Sequence, residues 1–463
     1  MRNKTCLLLA ILIQCHSRPV FGQWIELTPF ITPTFYNSAI ALDGNVYFAG
    51  GIRNAAIAND KVEILNLATN TLTQDTLSVG RGGIMVAAHK GKIYFAGGFK
   101  YTGSLGYTTS YSNVDILDVA TGNMTTKHLS VPRAFGSAVV IGDKILFAGG
   151  YALTGPNITS LAVVDILNTE NGEWSVDSLS QPRGDLCAAV YKGRAYFCGG
   201  ALNIFTNEST SRIDIYDPVS GWSIDSLSTA RNACSAIAVG DYLLVAGGTS
   251  DFVFKYELVD VFNGSEWSEA YLSAPRCFMT TAAIGKKAYF IGGGSCNSVT
   301  FKLDESSNVV DVFDADKNEW DVTTPLTKNR IAHAAAAWNG KIAVGAGWRP
   351  EVSQFTGSIE VFTDSLFVSA PQGVFQAPSV WLSPNPASDL VNLKFTEQTG
   401  QQVPVSLEVY DMYGRVMLQQ HFAPDDLNQQ VSIDVSTLLP GNFLLVLNTA
   451  GGDRVYRRFV VVR

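Results

Sequence analysis

The residues able to do chemistry are few, and their spacing limits what they can do. Beyond residue 22 the histidines are His89, His128, His333 and His421. A copper or zinc centre needs several such side chains converging on one point. His89 lies eight residues before the doublet Gly97-Gly98, and His333 lies thirteen before the corresponding Ala346-Gly347. On equivalent strands these positions differ by five residues, about 17 Å of rise, which keeps the two from sharing a metal. No metal-binding cysteine pair, phosphate-binding glycine loop or nucleophile elbow is present. The sequence therefore assigns no catalytic residue, no metal and no cofactor.

Arginines give a more regular signal. Arg81, Arg133, Arg183, Arg231, Arg276 and Arg330 each stand sixteen positions ahead of a doublet: Gly97-Gly98, Gly149-Gly150, Gly199-Gly200, Gly247-Gly248, Gly292-Gly293 and the degenerate Ala346-Gly347. The first doublet, Gly50-Gly51, has Thr34 in that place. A ring of guanidinium groups could grip carboxylates or sulfates through paired hydrogen bonds. A residue repeated in every unit, however, serves first what the units share, such as a bond between neighbours, whereas a ligand site breaks the symmetry.

What must position these residues is a repeat of close to fifty residues. Each unit reads as four short strands, a to d. In the third, strand a is 136–140, a Gly142-Asp143 turn follows, strand b is 144–148, strand c is 163–167 and strand d lies around 174–179. Strand a is rich in small residues, as in Ala334-Ala335-Ala336-Ala337, which suits crowding near an axis. One such sheet cannot bury both of its faces, so copies must stack, and radial closure removes the exposed ends. Trp24-Ile25-Glu26-Leu27 reads as an extra strand d that completes the unit begun near Asn329.

The doublet after strand b, the Val-Asp-Ile or Val-Asp-Val of strand c, and Trp174, Trp222, Trp267 and Trp320 of strand d resemble kelch repeats. The resemblance implies an all-β chain with a seven-bladed, or alternatively six-bladed, kelch β-propeller over residues 23–370. A linker at 371–381 ends the period, and Pro384-Asn385-Pro386-Ala387 opens a new pattern that runs to a basic end at Arg457-Arg458-Phe459-Val460. Its alternation predicts a small immunoglobulin-like β-sandwich over 382–463. In order and spacing this tail resembles the type A C-terminal sorting domain that Bacteroidota use for type IX secretion, which implies that machinery as a partner.

Residues 1–22 read as a signal peptide, with Arg2 and Lys4 ahead of the apolar run Leu7–Ile13 and a cleavage site after Val20-Phe21-Gly22. Cys15 after that run leaves a lipoprotein signal as the alternative. Loss of Arg2, Lys4 and Arg18 moves the formal charge from −8 to −11, which excludes nucleic acid as a natural partner. No later stretch is apolar and long enough for a transmembrane helix. The expected destination is the medium or the outer cell surface, reached through the periplasm.

Strands a and b form a hairpin, so the start of a and the end of b meet at one face with the b-to-c loops. That face carries the ligand-binding candidates Tyr101, Tyr107, Tyr151, Phe252, Tyr256, Trp348 and Arg349, and the six arginines. Aromatic rings on a rigid scaffold suit a protein or glycan ligand. They equally serve to cover the blade tops. Galactose oxidase and sialic acid mutarotases share the implied fold, and the loop acids Glu208, Asp251, Glu257, Asp304, Glu305 and Glu351 leave a carboxylate-based enzyme open. The first reading is a binding module; the alternative is a carbohydrate-active enzyme of mutarotase or lyase type. Cys277 and Cys296 flank one hairpin and are placed to form a disulfide, while Cys187 and Cys198 would face each other at a hydrogen-bonded site, a poorer geometry.

Overall fold

Short apolar runs separated by tight turns fold each repeat into a four-stranded antiparallel sheet. In the first, Ser38–Leu42, Asn45–Ala49, Lys61–Asn66 and Leu72–Thr76 pair in chain order. The computed structural model describes residues 22–28, 31–54, 57–101, 108–203, 208–250, 254–297, 302–364, 380–383, 387–395, 404–411, 416–421, 431–449 and 454–462. Among these, seven sheets share the a-b-c-d order. The seventh takes its outer strand from the other end of the chain, with Trp24–Leu27 pairing Ile359–Thr363 so that Trp24 lies opposite Phe362. Each strand a neighbours the strand a of the next sheet, and Ala334–Trp338 of the seventh neighbours Ser38–Leu42 of the first, closing the ring.

Packing follows from sequence at each radius. Strand b is buried along most of its length, as in Val46, Tyr47, Phe48 and Ala49, because it lies between two neighbouring sheets. Strand d is largely exposed, and its tryptophans tie it to the preceding sheet. Trp222 Nε1 donates to Asp177 at 2.8 Å, and Trp267 Nε1 does the same to Asp225 at 2.8 Å. The glycine doublets mark where the next d-to-a link crosses. Gly97 holds φ +66°, and a Cβ there would sit 2.3 Å from the Arg133 carbonyl oxygen. Ala346 keeps the left-handed backbone at φ 60° without being glycine, so the degenerate seventh doublet has the same shape.

The segments between strands b and c are hairpins where the sequence reads as irregular loops. Examples are Ile52–Asn54 with Ile57–Ala58, and Trp348–Arg349 with Gln354–Phe355. Those of the second and third sheets join into one four-stranded layer.

The chain divides into two compact units at residue 368. In the second, Val380–Ser383, Leu390–Phe395 and Val431–Asp434 form one sheet, and Pro404–Tyr410, Val416–His421, Gly441–Thr449 and Arg454–Val461 form another. Val391, Leu393, Leu407, Val409, Leu445, Leu447 and Phe459 fill its core. Residues 1–21 of the signal peptide and 371–379 of the linker read from the sequence lie outside the described residues.

Candidate functional site

The links from strand d to the next strand a build the site. Their arginines are at most 2 % exposed, and each faces a strand c carboxylate: Arg81 with Asp115, Arg133 with Asp165, Arg183 with Asp214, Arg231 with Asp260, Arg276 with Asp311 and Arg330 with Glu360. Arg133 shows the pattern. Its guanidinium donates to Asp165 Oδ2 at 2.6 Å and to the Phe147 carbonyl at 2.8 Å in the third sheet, while its own carbonyl accepts from Gly98 of the second at 2.8 Å. The carboxylate also accepts from the Ser130 backbone N–H at 2.9 Å. The arginines expected as a possible anion-binding ring thus brace neighbouring sheets. The guanidinium groups are buried, though Nε of Arg133, Arg231, Arg276 and Arg330 has no hydrogen-bond partner. In the first sheet Thr34 replaces the arginine, and Glu63 instead accepts from Thr32 N–H and Oγ1 at 2.6 and 2.7 Å.

Two residues beyond the arginine position, the chain turns left-handed in all seven links: Tyr36, Gly83, Phe135, Asp185, Ala233, Phe278 and Ala332 have φ between 49° and 63°. Glycine occupies only one of these places. The conformation is held by a belt of backbone bonds around the axis, from Gly83 N to Tyr36 O, Phe135 to Gly83, Asp185 to Phe135, Ala233 to Asp185, Phe278 to Ala233 and Tyr36 to Ala332, all 2.8–3.1 Å. These residues and their successors line an axial cavity of about 200 Å³.

Its wall is asymmetric. Tyr36 and Phe135 of the lining belong to an aromatic crescent that runs from Trp348 and Phe355 through Phe35 and Tyr36 to Phe99, with Tyr101 beside it, and on to Phe135 and Tyr151, with contacting ring centroids 4.4–6.4 Å apart. Asp185 and the small Ala233 follow Phe135 along the belt. Tyr151 Oη donates to Asp185 Oδ2 at 3.0 Å. Burial pushes the Asp185 carboxyl up to about 7, opposed by the Tyr151 hydroxyl. Burial also raises the Tyr36, Tyr101 and Tyr151 phenols, so all three stay protonated.

The third position after the arginine is apolar in most links, through Ile84, Gly136, Leu186, Cys234 and Met279. At the seam between the seventh sheet and the first it becomes His333 and Asn37. Both are buried, 4 % and 8 % exposed, and both line the cavity. His333 Nε2 meets Thr280 Oγ1 at 2.9 Å, but its Nδ1 has no hydrogen-bond partner, nor do Nδ2 and Oδ1 of Asn37. Burial, then the charges of Arg330 and Arg276, hold His333 well below the usual imidazole range, so the ring is neutral.

Of the candidates read from sequence, Tyr101, Tyr151 and Trp348 meet in the aromatic crescent. Tyr151 is fully buried and acts through its hydroxyl, while Tyr101 and Trp348 are half-buried. Arg349 Nε lies 3.6 Å from Glu351. Tyr256 Oη pairs with Ser250 Oγ at 2.7 Å. Tyr107 and Phe252 lie outside the described residues. Cys277 is disulfide-bonded, and the side chain of its expected partner Cys296 also lies outside them. Sequence reasoning missed Tyr36, Asn37, Phe135, Asp185 and His333. Their signal was the residue-type variation at a fixed offset from the invariant arginines. Among the described residues no group of three or more His, Cys, Asp or Glu is placed to hold a metal.

Residues 382–462 match the family described as the secretion system C-terminal sorting domain. A stretch of 85 residues is 27 % identical to Kelch-like protein 21 of Danio rerio, covering 18 % of this chain and 14 % of that protein. The first unit is a kelch-type β-propeller and the second a secretion sorting domain. The chain is thus exported by type IX secretion to the cell surface or the medium. A fungal alcohol oxidase of the AA5 family, solved in complex with copper, superposes with TM-score 0.58 at 13 % identity over 96 % of this chain and all of that one. The structure titled YjhT gives 0.49 at 13 % identity over 64 % of this chain and 99 % of that one. At such identity the fungal likeness speaks to fold and not to chemistry. Among the described residues no helix is long and apolar enough to cross a membrane.

Proposed function

We propose that the propeller is a non-catalytic binding module, presented outside the cell, that takes the end of a hydroxyl-bearing ligand such as a glycan into the axial mouth. The observation that carries this reading is the unpartnered polar set at the seam. Asn37 and His333 line the cavity, and beneath its surface Nδ2 and Oδ1 of Asn37 and Nδ1 of His333 have no hydrogen-bond partner. Buried polar groups are ordinarily paired, and orphans beside a cavity wall gain partners when a ligand entering the mouth shifts that wall. The aromatic crescent offers flat faces for a sugar ring, with Trp348 and Tyr101 among its half-buried members.

A second reading rests on Asp185. A carboxyl titrating near 7 beside a phenol has the acidity of a general acid or base, which supports a carbohydrate-active enzyme of mutarotase or lyase type.

The test is a glycan and protein array probed with the full chain, followed by incubation of each hit and analysis of products. Retention of an unaltered glycan, lost on Asn37→Ala together with His333→Ala, is the expected result. Conversion abolished by Asp185→Asn establishes the enzyme instead. Binding that survives the double alanine change overturns the placement of the site.

A further inference from the structure

Three described cysteines are free thiols, and they share one core. Cys187 opens strand a of the fourth sheet, Cys198 ends its strand b, and Cys234 stands just ahead of strand a of the fifth. All are buried. The Sγ atoms of Cys187 and Cys234, 47 residues apart in the chain, approach to 2.7 Å. That is inside the distance at which two separate thiols settle and about 0.7 Å longer than the bond itself. By contrast Cys187 and Cys198 are cross-strand partners in one hairpin, where Cys187 Sγ points at the Cys198 carbonyl oxygen at 3.7 Å. The export route passes an oxidising compartment, where a pair so placed does not stay reduced.

We propose that Cys187 and Cys234 form a disulfide that staples the fourth sheet to the fifth beside the axis. The bond is made by exchange with a disulfide-bearing thiol oxidant. Cys234 is the attacking sulfur, because the Cys187 thiol and then the Arg231 guanidinium favour its thiolate, whereas burial keeps Cys187 protonated. The Cys234 thiolate attacks one sulfur of the oxidant, forming a mixed disulfide and releasing the other sulfur as thiolate. Cys187 passes its proton to that thiolate and attacks Cys234 Sγ, expelling the second oxidant thiolate. Two protein thiols are oxidised, the oxidant disulfide is reduced to two thiols, and the two protons go with them. Cys198 remains free.

The staple lies away from the seam between the seventh and first sheets, so the ring is fastened at two places by different means. At the seam the fastening is the borrowed strand Trp24–Leu27; here it is covalent. Cys234 also lines the axial cavity, so the bond fixes one side of its wall.

The test uses the full chain recovered after export, unfolded in an alkylating agent without reductant and digested with trypsin. Cleavage at the flanking basic residues places Cys187 in Gly184–Lys192, Cys198 in Ala195–Arg212 and Cys234 in Asn232–Lys255. The expected species is Gly184–Lys192 joined to Asn232–Lys255 with the mass of two hydrogen atoms missing, beside an alkylated Ala195–Arg212. Adding reductant before alkylation must separate the pair. Alkylation of all three peptides, or a linkage through Cys198, overturns the proposal. Because the wild-type chain is read directly, no variant has to fold for the result to count.

Discussion

Tyr151 Oη donates a hydrogen bond to Asp185 Oδ2 at 3.0 Å, joining the b-to-c hairpin of the third sheet to the link that leads into the fourth. The pair sets a pH dependence. Asp185 titrates near 7 in the folded protein against an ordinary value of 3.8, so between about 4 and 7 the folded state binds more protons than the unfolded one. Stability of the propeller therefore falls as pH rises through that window and levels off above it. Unfolding midpoints measured across the window should show this slope in the wild type and a flat line for Asp185→Asn. Tyr151→Phe removes the hydroxyl that holds the carboxyl down and should carry the slope to higher pH.

The arginine brace predicts a large penalty for breaking one pair. Arg133→Met leaves Asp165 buried with its charge uncompensated, at a cost of about 3–5 kcal/mol. Replacing both, as Arg133→Met with Asp165→Leu, should recover much of that loss, because the desolvation of two ions disappears together. Denaturant midpoints of the single and double variants check both statements. A double variant no better than the single would mean that the backbone bonds of Arg133, and not its charge, hold the sheets.

Ring closure depends on the first described strand. Trp24 is buried against Phe362 with ring centroids 5.2 Å apart, and its Nε1 donates to the Thr324 carbonyl at 3.0 Å. Trp24→Ala should cost about 3–5 kcal/mol, at the level of a large core truncation. Thermal unfolding reads the loss, and hydrogen exchange should show it first in Ile359–Thr363, the strand that Trp24–Leu27 covers.

Export should separate from folding. A chain ending after the propeller keeps the strands and braces described above and loses only the sorting domain matched at 382–462. It should accumulate in the periplasm as a folded protein, seen by fractionation and by resistance to protease, while the full chain reaches the surface or the medium.

The architecture was legible because its causes recur. A position where a Cβ would sit 2.3 Å from the crossing link's carbonyl oxygen favours glycine, and the arginine that braces six of the seven sheets appears at one offset each time. The aspartate of Val-Asp-Ile or Val-Asp-Val was legible only as a mark of strand c, because nothing in the spacing says that it meets the arginine out of water. The site was harder to read, because it is made where the repeat varies. Left-handed turns at Tyr36, Phe135, Asp185 and Phe278 carry no glycine to announce them, since the backbone belt around the axis imposes the conformation. The b-to-c segments drew attention through their length and aromatic content. Their rings close the crescent, but its centre comes from the links.

Asn37 offers the sharpest separation of function from structure. Its amide is buried with neither Nδ2 nor Oδ1 bonded, which is a cost to the folded state that leucine, of nearly the same shape, would not incur. Asn37→Leu should therefore stabilise the propeller by about 1–3 kcal/mol while weakening retention of the ligand. A residue kept only for packing would give the opposite sign in unfolding and no change in binding. Denaturant unfolding of the full chain, set beside binding to whatever glycan the array returns, measures both quantities on the same protein. If Asn37→Leu destabilised the fold and left binding intact, the amide would have a structural partner after all, and the seam would not be where the ligand enters.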